Sequence, residues 1–223
     1  MGNTSFNLAY LGYMLQGAAW TVGLSAMGFL GGGILGGIIA LARISRRTPV
    51  RWAASLYIQL IQGIPLLILM FLFYFGLGLM GYNVPPLAAA GGAMSVYASA
   101  YLGDIWRGCL QAVPRSQWEA AECLGLSPAQ RMVCVIVPQA MRLATPSTVG
   151  FLVQIVKNTS LASVVGFVEL VRAGQMVNNT LYEPFMVFSL MAVLYFALCY
   201  PLSRWSHALE RRLKTGRRAR ATA

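Results

Sequence analysis

Long apolar tracts, separated by short polar clusters, dominate the hydrophobic pattern of this chain. Residues 1–42 contain no charged side chain, and residues 52–103 are again uncharged. Because about 20 consecutive apolar residues cross a bilayer as a helix, tracts of this length predict membrane-spanning helices. The pattern predicts five spans, with approximate bounds at residues 17–42, 53–80, 87–106, 139–157 and 184–205.

Three local features interrupt these tracts. Pro65 lies well inside the second span and is expected to bend or open it, since proline removes a helical hydrogen bond. The turn sequence GYNVPP at Gly81–Pro86 separates the second span from the third. Residues 157–179 alternate small, apolar and polar side chains, which predicts a broken or re-entrant segment that lines a pathway and is shielded by protein.

The basic residues predict the orientation of the chain. Arg43, Arg46, Arg47 and Arg51 follow the first tract with no acid among them, and residues 204–223 hold seven basic residues and one acid. Basic loops stay in the cytoplasm, so the N-terminus is expected outside and the C-terminus inside. No basic residue precedes Arg43, so no cleaved signal peptide is expected. The predicted organisation is an outer tail or interfacial helix (1–16), one membrane domain (17–208) and a basic cytoplasmic tail near anionic lipid (209–223).

Composition supports an all-α integral membrane protein. Hydrophobic residues make up 57% of the 223 residues and charged residues only 10%, whereas an average soluble domain carries about 25% charged residues. The net charge of +11 does not indicate nucleic-acid binding, because the basic residues cluster at tract ends and lack interleaved aromatic side chains.

Residues with catalytic or metal-binding chemistry are scarce. The chain has one histidine and four scattered cysteines, which leaves no convincing metal site or catalytic constellation and counts against a membrane-embedded enzyme. The glycine-rich stretch in the first span is not followed by Gly-Lys-Ser/Thr, so it does not form a nucleotide-binding loop. No catalytic or metal-binding residue is therefore predicted, and any ATP is expected to be handled by another chain.

The most structured polar segment is Pro114–Pro138, between the third and fourth spans. Ser116 and Glu119 have the spacing of a capping box, which predicts a helix beginning at Gln117. Gly125 is placed to end that helix in a left-handed turn. A second start signal follows in Ser127, Pro128 and Gln130, and Pro138 is expected to close the second helix and bend the chain.

A helical elbow of this kind has two open interpretations from the residues alone. It suits docking into the groove of another protein, and it equally suits an ordinary amphipathic connector between spans.

The same segment resembles a known family motif. The order Glu119-Ala120-Ala121, then Gly125, then an aliphatic pair before Pro138, resembles the EAA loop of permeases from binding-protein-dependent ABC importers. In that family the loop sits in a cleft of the ATPase subunit, so the resemblance implies a coupling role here, with Arg131 able to reach an acidic group on the partner. The implied ATPase-coupling residues are Glu119, Ala120, Ala121, Gly125, Leu126, Ser127, Pro128 and Arg131.

Further segments, from Gly17 to about Glu210, are similar to the permease subunits of polar amino acid importers. They include IQGIPLLILMFLFYFG, YLGDIWRGCLQAVPRSQWEAAECLG and KNTSLASVVGFVEL. The family usually has Arg, Glu and Asp where this chain has Gln62, Asp104 and Asn158. These departures leave the implied architecture unchanged and weaken the substrate assignment.

The resemblance implies a type I ABC importer transmembrane domain in the bacterial inner membrane. Its implied partners are a dimer of ABC ATPase subunits that binds ATP and Mg, an extracytoplasmic solute-binding protein, and a second permease copy or a paralogous permease. The implied substrate is a polar amino acid. This chain itself is expected to hold no cofactor and to catalyse no reaction.

Several polar residues in or beside the spans are candidates for a substrate pathway. Asp104 and Arg107 lie three residues apart on one helix face and suit either a structural pair or inner gate, or direct contact with substrate. For the uncharged members, hydrogen bonding between helices is the rival explanation. The candidate set is Gln59, Gln62, Asp104, Arg107, Gln154, Lys157 and Asn158.

Two further expectations concern residues outside that set and the class of transporter. Glu169 and Arg172 repeat the three-residue spacing and are expected to form a local ion pair. The alternative function is a stand-alone secondary transporter or channel for small polar solutes. Five spans, no inverted repeat and a capped elbow count against it.

Overall fold

The protein was analysed as a computed structural model that describes residues 7–221, without the side chains of residues 212 and 214–221. The described chain is helical and contains no strand. Helix α1 spans Leu8–Arg43, and the Asn7 side chain caps it by accepting hydrogen bonds from the backbone N–H groups of Ala9 (3.0 Å) and Tyr10 (3.2 Å). Because α1 is continuous, no break in secondary structure separates the predicted outer tail from the first span. Residues 1–6 of that tail lie outside the described residues.

The second apolar tract is sharply bent at Pro65. Helix α2 spans Thr48–Gly63, and it is followed by α3 (Leu66–Phe71), a π-helical turn (Leu72–Gly76) and α4 (Leu77–Leu79). The two arms meet at 99°. Ile64 is extended (φ −103°, ψ 127°), as expected for a residue before proline. The predicted bend at Pro65 is confirmed.

Helix α5 (Pro86–Gln111) packs along α1 through a stripe of glycines. Gly28 faces Met94, Gly32 faces Ala98 and Gly36 faces Leu102. A Cβ at Gly32 would also lie 3.0 Å from the Ser95 carbonyl oxygen, which is backbone and cannot rotate away. The small residues thus allow two helices to approach closely, as in membrane helix pairs generally.

The polar segment forms α6 (Arg115–Cys123) and α7 (Pro128–Gln130), and a π-helical turn (Arg131–Ile136) leads directly into α8 (Val137–Asn158). The helix therefore continues past Pro138, and the prediction that Pro138 closes it is wrong. Pro138 stands at the start of α8, directly after the π turn. An irregular turn of this kind accommodates the missing proline N–H without breaking the helix.

After α8 the chain tightens into a 3₁₀ segment (Thr159–Val165) and reverses at Gly166, which is left-handed (φ +86°). Helix α9 (Leu170–Leu181) follows, and α10 (Pro184–Ala221) completes the described chain. This arrangement agrees with the broken segment predicted for residues 157–179.

Three stretches of the described chain are long and apolar enough to cross a membrane, namely Leu8–Arg43, Pro128–Val165 and Pro184–Arg211. The bent pair Thr48–Gly63 and Leu66–Leu79 makes a fourth if it counts as one span. The predicted third span lies in α5, which is long but is not among them. Its many small residues and the charged Asp104 and Arg107 lower its hydropathy, while its packing face is buried. Five spans and their orientation stay predictions.

Candidate functional site

The first helix of the polar segment begins earlier than predicted. Pro114 is the N-cap of α6, and no side chain caps the helix. The predicted capping box of Ser116 and Glu119 is therefore wrong. Pro114 (φ −53°, ψ 140°) already has the geometry of a residue that precedes a helix, and the Gln117 N–H donates to its carbonyl oxygen at 3.0 Å. Ser116 consequently lies inside the first turn of α6, so its hydroxyl does not occupy the N-cap position.

The turn between α6 and α7 is the one predicted. Gly125 is left-handed (φ +69°). The Gly125 N–H donates to the Glu122 carbonyl (2.9 Å) and the Leu126 N–H donates to the Ala121 carbonyl (3.2 Å), which together form a Schellman motif. The second capping box is also confirmed, because the Gln130 N–H donates to Ser127 Oγ (3.3 Å) and the Ser127 N–H donates to Gln130 Oε1 (3.0 Å).

Two side-chain contacts brace the elbow, which we define as Arg115–Ile136. The Arg131 guanidinium donates to Glu122 Oε2 at 2.8 Å, and the Arg131 side chain is only 10% exposed. Gln139 Nε2 of α8 donates to Gln117 Oε1 of α6 at 3.1 Å. The expectation that Arg131 reaches outward to a partner is therefore corrected, since its charge is used inside the elbow. The ion pair between Arg131 and Glu122 therefore connects the π-helical turn to α6.

The elbow presents apolar groups to solvent despite its polar sequence. Leu124 is 78% exposed and Val133 is 67% exposed. Most of the predicted coupling residues are exposed, namely Glu119, Ala120, Gly125, Ser127 and Pro128. Leu126 is half-buried. Ala121 is buried, at 2% exposure, so it packs within the elbow. The coupling role of these residues stays a prediction.

Asp104 and Arg107 form the predicted pair in the C-terminal half of α5. The Nε and Nη2 atoms of Arg107 lie 3.0 and 2.9 Å from Asp104 Oδ1, and Nη1 donates to Gln111 Oε1 at 2.7 Å. Asp104 remains 40% exposed, so its second oxygen has room to accept another donor. The geometry is compatible with both interpretations made from the sequence.

An aromatic stack joins α5 to α8 above this pair. Tyr101 and Phe151 are stacked with ring centroids 5.4 Å apart, and Tyr97 lies 6.3 Å from Phe151. Gln154 Nε2 donates to Asn158 Oδ1 at 3.2 Å, and the Tyr97 hydroxyl interacts with Asn158. Tyr97, Tyr101 and Asp104 follow each other at helical spacing on one face of α5. The sequence analysis did not include the aromatic residues of this surface among its candidates. The helical spacing of Tyr97 and Tyr101 with Asp104 was the signal that could have identified them.

The other candidates do not join that surface. Lys157 lines a separate groove between α8 and α10, together with Tyr195 and Cys199. Gln59 is exposed and Gln62 is half-buried on α2, and neither side chain has a hydrogen bond to another described residue. The structure therefore brings together Asp104 with Arg107 and Gln154 with Asn158, and it leaves the remaining three apart.

Glu169 has a different role from the one expected. Its carboxylate is fully buried and accepts the backbone N–H groups of Val171 (2.9 Å) and Arg172 (3.0 Å), which makes it the N-cap of α9. The Tyr195 hydroxyl donates to it at 2.9 Å, and Thr21 at 3.5 Å. The predicted ion pair with Arg172 is wrong, because the contact is to the backbone and the Arg172 side chain is exposed. Glu169 joins α1, α9 and α10.

The helical bundle, with its long apolar helices, defines a multi-pass membrane protein. A family model described as "Binding-protein-dependent transport system inner membrane component" matches residues 32–215. The chain belongs to this family of inner-membrane transport permeases. The family supports a transport role and favours an ABC transporter permease over a stand-alone transporter or channel.

Named relatives and solved structures agree with this assignment. The chain is 31% identical over 210 residues to the "Probable amino-acid ABC transporter permease protein YckA" of Bacillus subtilis (strain 168), covering 94% of this chain and 93% of the relative. It is 34% identical over 198 residues to the "L-cystine transport system permease protein TcyB" of the same organism, covering 88% and 85%. The structure titled "Crystal structure of an amino acid ABC transporter with histidines" matches with a TM-score of 0.85 and 31% identity, covering 94% of this chain and 100% of that chain.

Proposed function

We propose that this chain is the permease subunit of an ATP-driven importer of polar amino acids, and that its elbow receives the motion of a separate ATPase. The relatives named for amino-acid transport support the substrate class. ATP and Mg are bound by the partner ATPase dimer, and a solute-binding protein delivers the substrate from outside. Two permeases, either two copies of this chain or this chain with a paralogue, enclose the pathway.

The braced elbow is the observation that carries the proposal. A docking element transmits a push only if it moves as one body. The Schellman turn at Gly125, the Arg131–Glu122 ion pair and the Gln139–Gln117 hydrogen bond fix α6 to α8. The elbow is also anchored in the bundle, because Trp118 and Ile136 pack in a cluster with Ala40 and Leu110. Displacement of α6 is therefore passed to α1, α5 and α8.

Substrate selection is proposed for the surface shared by α5 and α8. The Tyr97–Tyr101–Phe151 stack offers π faces to an ammonium group. Asp104, with its second oxygen accessible, offers an acceptor. Gln154 and Asn158 supply amide groups for the carboxylate of an amino acid. We expect Asp104→Asn to reduce uptake of labelled amino acids in proteoliposomes, with basic substrates affected most. Equal uptake by both proteins would remove Asp104 from the pathway.

The docking proposal is tested by removing the exposed apolar groups of the elbow. We expect Leu124→Ser combined with Val133→Ser to weaken binding of the cognate ATPase by about tenfold or more, because each of these exposed side chains contributes on the order of 1–2 kcal/mol when docking buries it. The matched control is Leu8→Ser combined with Phe185→Ser, which removes side chains that are 83% and 87% exposed at helix N-termini outside the elbow. Equal binding by both double variants would contradict docking through the elbow.

A further inference from the structure

Three arginines from three helices surround a cavity at the basic end of the bundle. The cavity measures about 510 Å³ and is lined by Arg43 at the end of α1, Arg51 in α2 and Arg115 at the start of α6, with Trp118 and Gln111 beside them. No acidic side chain lines it. The concentration of positive charge around this open cavity suits an anion.

The charges that line this cavity are uncompensated within the described residues. Arg43 Nε is buried and has no hydrogen-bond partner. The ion pairs of the described chain involve Arg107, Arg131 and His207, so Arg43, Arg51 and Arg115 have none. A buried guanidinium N–H without an acceptor is costly. Three guanidinium groups without an acidic partner around one cavity therefore favour an anionic ligand there.

An apolar groove adjoins the arginine cavity. It measures about 430 Å³ and runs between α1, α5 and α8, and both cavities are lined by Leu110. Its walls include Gly37, Leu41, Trp106, Met141 and Thr145, with no charged side chain among the lining residues. A hydrocarbon chain fits the chemistry of this groove. A soluble anion would bind to the arginines alone and would make no contact with the groove.

We propose that the cavity and the groove together bind one anionic phospholipid, with its phosphate between Arg43, Arg51 and Arg115 and an acyl chain between α1, α5 and α8. Basic pockets between membrane helices at the cytoplasmic side are suited to anionic headgroups, and the charge pattern places these arginines on that side. The bound lipid fills the space beside Trp118 and Leu110, where the elbow joins the bundle. The bound lipid thereby stabilises the elbow, whose coupling role rests on the proposed function.

Two charge-matched double variants test the headgroup contact. The full-length chain is purified in mild detergent with dioleoyl phosphatidylglycerol, and retained lipid is counted by native mass spectrometry. We expect Arg43→Gln combined with Arg51→Gln to lower retention by about tenfold or more. Arg46→Gln combined with Arg47→Gln removes two exposed charges from the same loop that do not line the cavity, and we expect near-normal retention. Equal losses in both variants would show nonspecific attraction and overturn the site, as would no loss in either.

Three further experiments distinguish a bound lipid from a soluble phosphate and provide a test that does not depend on the folding of the double variant. Thr145→Phe, at an exposed position lining the groove, is expected to reduce retention while all arginines remain. Inorganic phosphate in millimolar excess is expected to leave the lipid bound, and displacement by phosphate would assign the cavity to a soluble anion instead. Arg115→Gln changes one exposed side chain, so it repeats the headgroup test if the double variant fails to fold. Normal retention in both Arg115→Gln and Thr145→Phe would overturn the proposal.

Discussion

The α1–α5 interface and the elbow are held together by different kinds of contact. Between α1 and α5 the backbones approach through glycines, and the atoms that face Gly28, Gly32 and Gly36 are apolar or backbone. In the elbow the contacts are an ion pair, an amide–amide hydrogen bond and a capping box. Close packing has a steep cost for any displacement, whereas polar contacts at a surface exchange with water at small cost. The comparison indicates a bundle held by close packing and an elbow whose geometry as one body depends on a few polar contacts.

The largest expected effect lies in the glycine stripe. Gly32→Val is expected to destabilise the protein by about 3 kcal/mol or more, because its Cβ meets Ala98 and the Ser95 carbonyl and the helices must separate. The neighbouring Gly33→Val serves as control, since a Cβ there lies 3.7 Å from the Trp106 ring, in ordinary contact. Thermal unfolding in detergent measures the difference. Similar melting temperatures for the two variants would show that the close approach is unimportant.

A somewhat smaller effect is expected at Glu169. Glu169→Ala leaves the backbone N–H groups of Val171 and Arg172 and the Tyr195 hydroxyl without their acceptor, at an expected cost of about 2–4 kcal/mol. Glu183→Ala removes an exposed carboxylate near the start of α10, and we expect a change within about 0.5 kcal/mol. Limited proteolysis and thermal unfolding report on both. If Glu169→Ala melts like Glu183→Ala, the buried carboxylate does not hold the three helices together.

The smallest effect on stability is expected in the elbow brace. Because Glu122 is 69% exposed, loss of the pair in Arg131→Gln is expected to cost about 1 kcal/mol or less. The double variant Arg131→Gln with Glu122→Gln is expected to cost little more than either single change, since the two residues act as a pair. Stimulated ATP hydrolysis is expected to fall in all three variants. Additive losses in a double-mutant cycle would contradict the brace.

Features specified by local sequence were predicted well. The left-handed Gly125, the Ser127 capping box and the bend at Pro65 each depend on a few neighbouring residues, so their physical causes are visible in the sequence. The Asp104–Arg107 pair is also local. The capping box at Ser116 failed for a local reason, because Pro114 takes the cap position two residues earlier than the polar pattern suggested.

Features that depend on distant partners were not predicted. Glu169 has a nearby arginine in sequence, but its carboxylate accepts two backbone N–H groups of α9. Its remaining acceptor capacity is used by Tyr195 and Thr21, which lie on two other helices. Arg131 was expected to point outward, and the fold brings Glu122 to it across the glycine turn. Buried polar groups select the partner that satisfies them in three dimensions, and a single sequence does not show which partner is near.

The central claim, that the elbow passes the motion of an ATPase to the bundle, is tested most directly by two glycine variants. Gly125 (φ +69°) and Gly81 (φ +87°) are both left-handed with open space around a Cβ, so valine imposes a similar backbone strain of about 1–2 kcal/mol at each. Substrate-stimulated ATP hydrolysis is measured on the assembled transporter in proteoliposomes. We predict that Gly125→Val abolishes stimulation while the subunits remain assembled, and that Gly81→Val retains it. Normal stimulation in Gly125→Val, or equal loss in both variants, would contradict the account.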